Sequence, residues 1–598
     1  SASTANLYCQ MCLRYVKGSG PLGGIKARRN IMLESVLVST PQARFAAHKG
    51  SLVWVLGCRR YISWQADRFF GSVQEPHRMN QFHRSCRDQK ASKVFGFAAQ
   101  FSVLRCFVEQ REPVLKESDK AFDIHARFEG ESYQDILDRD TRAVPECLRV
   151  EQAQYLGSDP VPASHYTSID RFDQEVEHMW MRAWQMACRV EEIPEVGDYL
   201  VYEIIDKSVL LVRSAPDRIQ AFYNACLHRG RKLALTAGNK TELKCPFHGF
   251  CWQLNGDFKS CPTPWDYQHL DAETLQLPEL KADTWGGFVF VSFDEAAPPL
   301  MDVIGPLDWH FKDWHLEDRA ITYHVAKVVP CNWKVVAEAF MESQHAPTTH
   351  PQIMTHVTDV NSQYDLFSDY VSRQISASAE PSPLLDRETV SEQRILDDMT
   401  SRRYKIYSDV KPLPPGVTAR AFMAENVRES LQALNGHDYG AYSDAEMLDS
   451  ILYNVFPNFS VWGGMKPTRV YRWRPNGRDV DSAIMEIYQL DLVPKDGERP
   501  RPAPRRVLSD DERWSDAEEL GGLGAIADQD MGNLPYVQQG LKSSGNNQVQ
   551  FGNYQDMRIR HTHVIDDPYD DPADYEYPAS PEGRKPEDEV VESRIGDD

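Results

Sequence analysis

Two short loops, "NACLHRG" and "CPFHGF", constrain this 598-residue chain more than any other feature, because they set Cys226, His228, Cys245 and His248 in a C-x-H-x16-C-x-x-H pattern. Each loop offers one thiolate and one imidazole, so a metal centre built from them needs two turns that face each other. A 2Fe-2S cluster with two Cys on one iron and two His on the other uses this donor set, and imidazole in place of thiolate raises its reduction potential above that of all-Cys ferredoxins. Tetrahedral zinc also accepts two Cys and two His. Zinc fingers, however, usually pair Cys with Cys and His with His, whereas both loops here mix them. Gly230, Pro246 and Gly249 suit tight turns around such a centre.

A second constellation follows in "NWKVVAEAFMESQHAPTTHPQ", where Glu338, Glu342, His345 and His350 read E-x3-E-x2-H-x4-H. On one helix, positions 338, 342 and 345 share a face, Asn332 is the N-cap, and Pro347 ends or bends the helix so that both imidazoles converge. Two His and one distant carboxylate make the facial triad of non-haem iron, with coordination positions left open. The structural alternative is a pair of surface or hydrogen-bonded core histidines near a helix end.

The first constellation resembles the Rieske domain of ring-hydroxylating and related Rieske non-haem iron oxygenases, alpha subunit, and the second resembles the same family's mononuclear-iron motif, E-x3-D-x2-H-x4-H. The chain has Glu342 where many members have Asp, and Gln344 where relatives acting on quaternary amines often have Tyr. Respiratory Rieske proteins carry an extra Cys in each loop, and this chain has none there; Cys251 and Cys261 fall outside the ligand pattern and read as packed thiols. The segment "ADQDMGNLPYVQQGLKSSG" resembles the family stretch in which an Asp precedes a Gln by eight residues, which implies Asp530 as third iron ligand with Gln538 behind it, and Asp528 as the alternative. Pro535 then implies an Asp at a kink or just before a helix.

The resemblance spans about residues 165 to 565. It implies an α+β chain: a Rieske β domain at 165–305, then a helix-grip (START-like) catalytic domain at 306–565 with an antiparallel sheet. It implies one 2Fe-2S cluster and one Fe(II) per subunit, with O2 and a small-molecule substrate. Electrons come from NAD(P)H through a separate flavin reductase, with or without a ferredoxin. The assembly is a homotrimer, with or without a small beta subunit, in which Glu342 links the iron site to His248 of the neighbouring subunit. An aromatic or related hydrophobic substrate is the first reading; a quaternary amine or an oxidative demethylation is the second. A Rieske electron carrier alone is the third, and some 300 residues after the cluster motif speak against it. Substrate-contacting residues are expected after His350 and around "FPNFSVWGG".

Composition adds bounds. Net charge of -22 disfavours nucleic acid as a partner, and no apolar run approaches a membrane span. Twelve Cys without a disulfide framework, and no signal-peptide pattern, point to a reducing, cytoplasmic setting. Residues 1–112 hold 17 Lys+Arg against 6 Asp+Glu and five Cys, including a Cys9/Cys12 CxxC with no second pair; this basic segment is unassigned and read as separate from the functional module, its character suiting a fragment, a processed product or a mis-called gene start. Residues 113–164 are read as a helical lead-in. The polar stretch at about 375–450 is read as an insertion or lid outside the core, and the acidic residues 566–598 as a disordered tail.

Overall fold

The apolar runs "YLVYEII", "SVLLVR" and "GFVFVSF" form the strands Asp198–Ile204, Lys207–Ala215 and Phe288–Ser292 in a computed structural model that describes residues 127–401 and 412–566. The expectations for the basic segment 1–112, its CxxC and the acidic residues after 566 lie outside the described residues. All residues of Phe288–Ser292 are buried, so this strand reads as an unbroken apolar run, as a strand covered on both faces must. It sits in a seven-stranded antiparallel sheet ordered Gln185–Arg189, Phe288–Ser292, Glu279–Trp285, Arg218–Tyr223, Lys207–Ala215, Asp198–Ile204, Gly238–Asn239. A three-stranded sheet, Leu243–Lys244, Cys251–Trp252 and Phe258–Ser260, completes the β domain.

The second half is built on an eight-stranded sheet. Six consecutive strands meander from Gln363–Leu366 to Asp479–Leu492, Arg319–Val329 pairs antiparallel with the last of these, and Arg505–Leu508 closes the edge. The expected antiparallel sheet is corrected at that edge, where Arg505–Leu508 runs parallel to Arg319–Val329 because the chain crosses back over the sheet instead of turning in a hairpin. The C-terminal helix Met557–Asp566 is held on the sheet by Arg558, which donates to Ser372 Oγ, Gln374 Oε1 and Asn454 Oδ1. No described helix is long and apolar enough to cross a membrane.

Three further expectations change. Over its described residues the lead-in has two short helices, Tyr133–Leu137 and Glu146–Arg149, and its Tyr133, Ile136 and Leu148 are buried in the core of the catalytic half. The β domain starts at Gln185, not 165, since residues 164–180 are helical turns bonded to the catalytic half through Tyr166 and Glu175. The 375–450 stretch is no lid over its described part. Its helices Glu392–Met399 and Ala419–Asn435 bury Ile395, Met423 and Val427 in the same core, and Arg420 is paired to Asp449 at 2.7 Å. Its polar composition reflects buried ion pairs, which a hydropathy reading takes for surface.

The two halves share one apolar core, in which Val289 and Val291 of the first meet Trp333, Trp473 and Met485 of the second. Polar bonds fix their register: Asn458 bonds Met186 N–H at 2.9 Å and Tyr202 Oη at 3.2 Å, and Arg472 donates to Ala187 O. Behind them Glu486, fully buried, accepts from Arg472 Nε at 2.6 Å and lies 3.6 Å from Arg474. Burial alone would raise its pKa, but Arg472, Arg474 and His324 hold its carboxyl well below the usual range. Glu486→Gln leaves two buried guanidinium groups without their counter-charge. We expect a loss of about 3–5 kcal/mol in urea or thermal unfolding; an unchanged midpoint would show that this pair does not hold the halves together.

Candidate active site

Cys226 follows the strand Arg218–Tyr223, and Cys245 joins the strands Leu243–Lys244 and Cys251–Trp252. The two loops repeat one geometry. Cys226 N–H donates to Arg231 O at 2.9 Å and Gly230 N–H to Cys226 O at 2.8 Å; Cys245 N–H donates to Phe250 O at 2.8 Å and Gly249 N–H to Cys245 O at 3.0 Å. Each loop closes on a glycine at φ +70° (Gly230) or +74° (Gly249), a conformation that side-chain-bearing residues rarely adopt. The rings of His228 and His248 lie 4.6 Å apart. His228 stacks on Phe250, its Nε2 meets Tyr267 Oη at 3.2 Å, and its Nδ1 is buried without a hydrogen-bond partner.

An orphaned imidazole nitrogen of that kind costs about 1–3 kcal/mol unless something supplies a partner. Burial and the neighbouring Cys245 thiol push the Cys226 thiol up, so two thiolates can persist here only beside a positive charge. Both facts fit a bound metal centre.

The helix Trp333–Glu338 is capped by Asn332, whose side chain accepts from Lys334 N–H at 2.9 Å. It ends at Glu338, which corrects the expected single helix through His345. Ser343 draws the chain off the axis by donating its N–H to Tyr364 Oη at 3.0 Å and its hydroxyl to Asp359 O at 2.8 Å. Glu342 then accepts the backbone N–H of His345 at 3.1 Å and its Nδ1–H at 2.5 Å. Pro347 does not end a helix but stands in the first turn of a new one, Ala346–Thr349, after which His350 follows.

Asp530 comes from the last turn of the helix Gly522–Met531, not from just before a helix, and Pro535 opens the next helix, Leu534–Ser543. Its Oδ1 lies 2.8 Å from His350 Nε2 and 3.7 Å from His345 Nε2. The three ligand atoms lie within 4.8 Å of one another, the one such set of three or more His, Cys, Asp or Glu among the described residues. Asp528 is taken elsewhere: it accepts the backbone N–H of Trp514 at 2.8 Å and of Ser515 at 3.3 Å, where Gly524 lets the helix approach closely. Gln538 ties the two segments, accepting Asn332 N–H at 3.1 Å and donating to Tyr166 O at 3.0 Å.

Both outer ring nitrogens are held. His345 Nδ1 meets Glu342 and His350 Nδ1 meets Gln529 Oε1 at 2.9 Å, so each Nε2 is left for a metal. Gln529 went unnoticed in the sequence, where its one signal is adjacency to Asp530. Burial works against the His345 imidazolium, but the hydrogen bond and charge of Glu342, with Asp530, raise its pKa overall. Glu338 bonds Tyr166 Oη and His563 Nε2, at 3.0 and 2.9 Å, and supplies no atom to the cluster of ligands. A cavity of about 580 Å3 opens on Glu342, His345, His350 and Asp530, and is walled by Phe340, Leu452, Trp462, Tyr471 and Ile487 among others.

Two family models match this chain: the Rieske [2Fe-2S] domain over residues 183–271, and the ring hydroxylating alpha subunit (catalytic domain) over residues 310–566. Among curated proteins, the carnitine monooxygenase oxygenase subunit of Escherichia coli (strain K12) is 28% identical over 194 residues, 32% of this chain and 52% of that protein. The glycine betaine monooxygenase oxygenase subunit of Pseudomonas aeruginosa (strain UCBPP-PA14) is 26% identical over 224 residues, 37% of this chain and 51% of that protein. The chain thus spans about half the length of the curated relatives it matches. A solved quaternary ammonium Rieske monooxygenase, described with carnitine oxidation and inter-subunit electron transfer, shares the fold at a TM-score of 0.50 and 19% identity, over 72% of this chain and 100% of that one. With both halves matched, each over the segment that carries its own ligand set, this chain belongs to the Rieske non-haem iron oxygenases, the family of the ring-hydroxylating alpha subunits.

Proposed function

We propose that the chain is the catalytic alpha subunit of an oxygenase, with Cys226, His228, Cys245 and His248 holding a 2Fe-2S cluster and His345, His350 and Asp530 holding Fe(II). The convergence of those last three side chains on one face of a cavity carries this reading. When bound, the cluster supplies single electrons and the iron supplies the site where O2 is activated.

The chain's own part is to orient and to exclude water. Glu342 and Gln529 lock the two imidazoles in the tautomer that offers Nε2, and Asp530 adds one negative charge while leaving coordination positions open. The apolar wall keeps the site dry and seats an organic substrate. An aromatic or related hydrophobic compound suits that wall; a quaternary amine is the second reading, favoured by relatives named for carnitine and glycine betaine.

A separate NAD(P)H-dependent flavin reductase, with or without a ferredoxin, feeds electrons in, and the enzyme works in the cytoplasm as a homotrimer, with or without a small beta subunit. Leu227 and Phe247, exposed by 37% and 57% at the tips of the two loops, support the trimer, since a neighbouring subunit would cover them and bring His248 to Glu342.

Purified without oxygen, the protein should hold about three irons per chain and little zinc. His345→Ala should lose one of them and keep the rhombic signal of the reduced cluster, and Cys245→Ser should lose the cluster and keep the mononuclear iron; zinc as the main metal overturns the reading. Gln529→Leu should weaken the mononuclear iron by about 10- to 100-fold without touching the cluster, measured by chelator competition. Glu342→Gln should retain both metals yet slow product formation by orders of magnitude, with Glu342→Asp recovering part of the rate. NADH-driven oxygen uptake with a surrogate reductase, across aromatic and quaternary-amine compounds, measures all of these rates.

A further inference from the structure

The cavity carries two cations that the iron site does not use. Lys466 Nζ lies 4.8 Å and the Arg469 guanidinium 5.0 Å from the centroid of the Trp462 ring, and all three side chains line the cavity. Lys466 donates to Leu448 O at 2.9 Å, which leaves two of its three donors free of that bond. Among the described residues, neither cation lies within 4.0 Å of a carboxylate. The acids that line the cavity are engaged elsewhere: Glu342 with His345, Asp530 with His350, and Glu519 with Arg506 at 3.0 Å. The charge around Trp462 is therefore positive, and the negative charge of the cavity lies with the iron ligands.

We infer that the substrate carries a carboxylate, and that Lys466 and Arg469 bind it against the edge of Trp462. This rests on the proposed function only in taking the cavity as the substrate site. Burial and the adjacent Arg469 push the Lys466 ammonium down to about 7, so its full charge beside Arg469 is disfavoured until an anion binds and raises it again. A bare quaternary cation would be repelled, and a hydrocarbon would cover both groups without pairing them. A zwitterion fits only with its carboxylate at this end.

The strand Thr468–Asn476 orients such a substrate. Arg469 and Tyr471 are two residues apart and share its cavity face, about 7 Å from one another along the strand. Tyr471 lines the same cavity as Arg469 and Asp530. A carboxylate at Arg469 would thus hold the oxidised carbon several bonds away, past Tyr471.

The test is calorimetric, on the full chain loaded with both metals and kept free of oxygen, with two matched pairs: glycine betaine against choline, and benzoate against benzamide. In at least one pair the carboxylate should bind about tenfold or more tightly than its partner, and Lys466→Met or Arg469→Met should each lose about tenfold or more of that affinity. The same variants should leave benzamide little changed, bind choline as tightly as before or more so, and retain the iron content and cluster signal, and Lys466→Arg should keep carboxylate binding. A set in which no carboxylate outbinds its partner, or variants that leave its Kd unchanged, overturns the inference. Metal content reports separately on the oxygenase: a chain that binds the carboxylate but holds no iron would sink the proposed function and leave this binding site standing.

Discussion

Glu486 is a charge with no access to water, and the way the two halves of this protein meet follows from its needs. It takes Arg472 directly, stands beside Arg474, and receives His324 Nε2 at 3.2 Å. Arg472, once committed there, offers its remaining nitrogen to Ala187 O on the edge strand of the β domain. One buried carboxylate thus sets the register between the β domain, which carries the cysteine loops, and the sheet that carries the cavity. The apolar core around it supplies most of the burial energy, but apolar contact is non-directional and would allow sliding. The guanidinium bonds do not.

The second ligand set shows how a metal site is held by atoms that do not touch metal. Three chain segments meet there: the turn after the helix Trp333–Glu338, the short helix before His350, and the end of the helix Gly522–Met531. Gln538 binds the first to the third through Asn332 N–H, and Asp528 with Gly524 docks the third on the Trp514 turn. Asp530 is left with its carboxylate aimed at both imidazoles. The pre-organisation is electrostatic as well as steric, since the Glu342 carboxylate holds Nδ1–H of His345 and adds negative charge beside the Nε2 left for a metal.

The cavity joins two opposite fields. One part has acids and imidazoles suited to a cation, and another has Lys466 and Arg469 around Trp462. A substrate with one polar end would be turned by these fields before any contact with the apolar wall distinguishes its shape. Orientation of the reacting carbon would then come from charge, and selection by size from Phe340, Leu452 and Ile487.

Cys226, His228, Cys245 and His248 were legible in the sequence because a cluster loop is local: ligand spacing and the glycine four residues after each Cys specify the turn without help from the rest of the chain. His345 and His350 were legible for the same reason, as was Asn332 as a helix cap. Asp530 was recognised by its spacing to Gln538, yet its choice over Asp528 was decided by packing, since Asp528 is consumed by two backbone N–H groups that are near only in the folded chain. The helix that spacing suggested from Glu338 to His345 gave way because Tyr364 and Asp359, distant in sequence, offered Ser343 better bonds than the helix could. The 375–450 stretch looked like surface because ion pairs such as Arg420 with Asp449 are buried together, which composition cannot reveal. The sequence by itself determined which side chains are offered as metal ligands; the tertiary structure decided Gln529, the cations at Trp462 and the joint at Glu486, because each depends on residues brought together across sheets rather than along the chain.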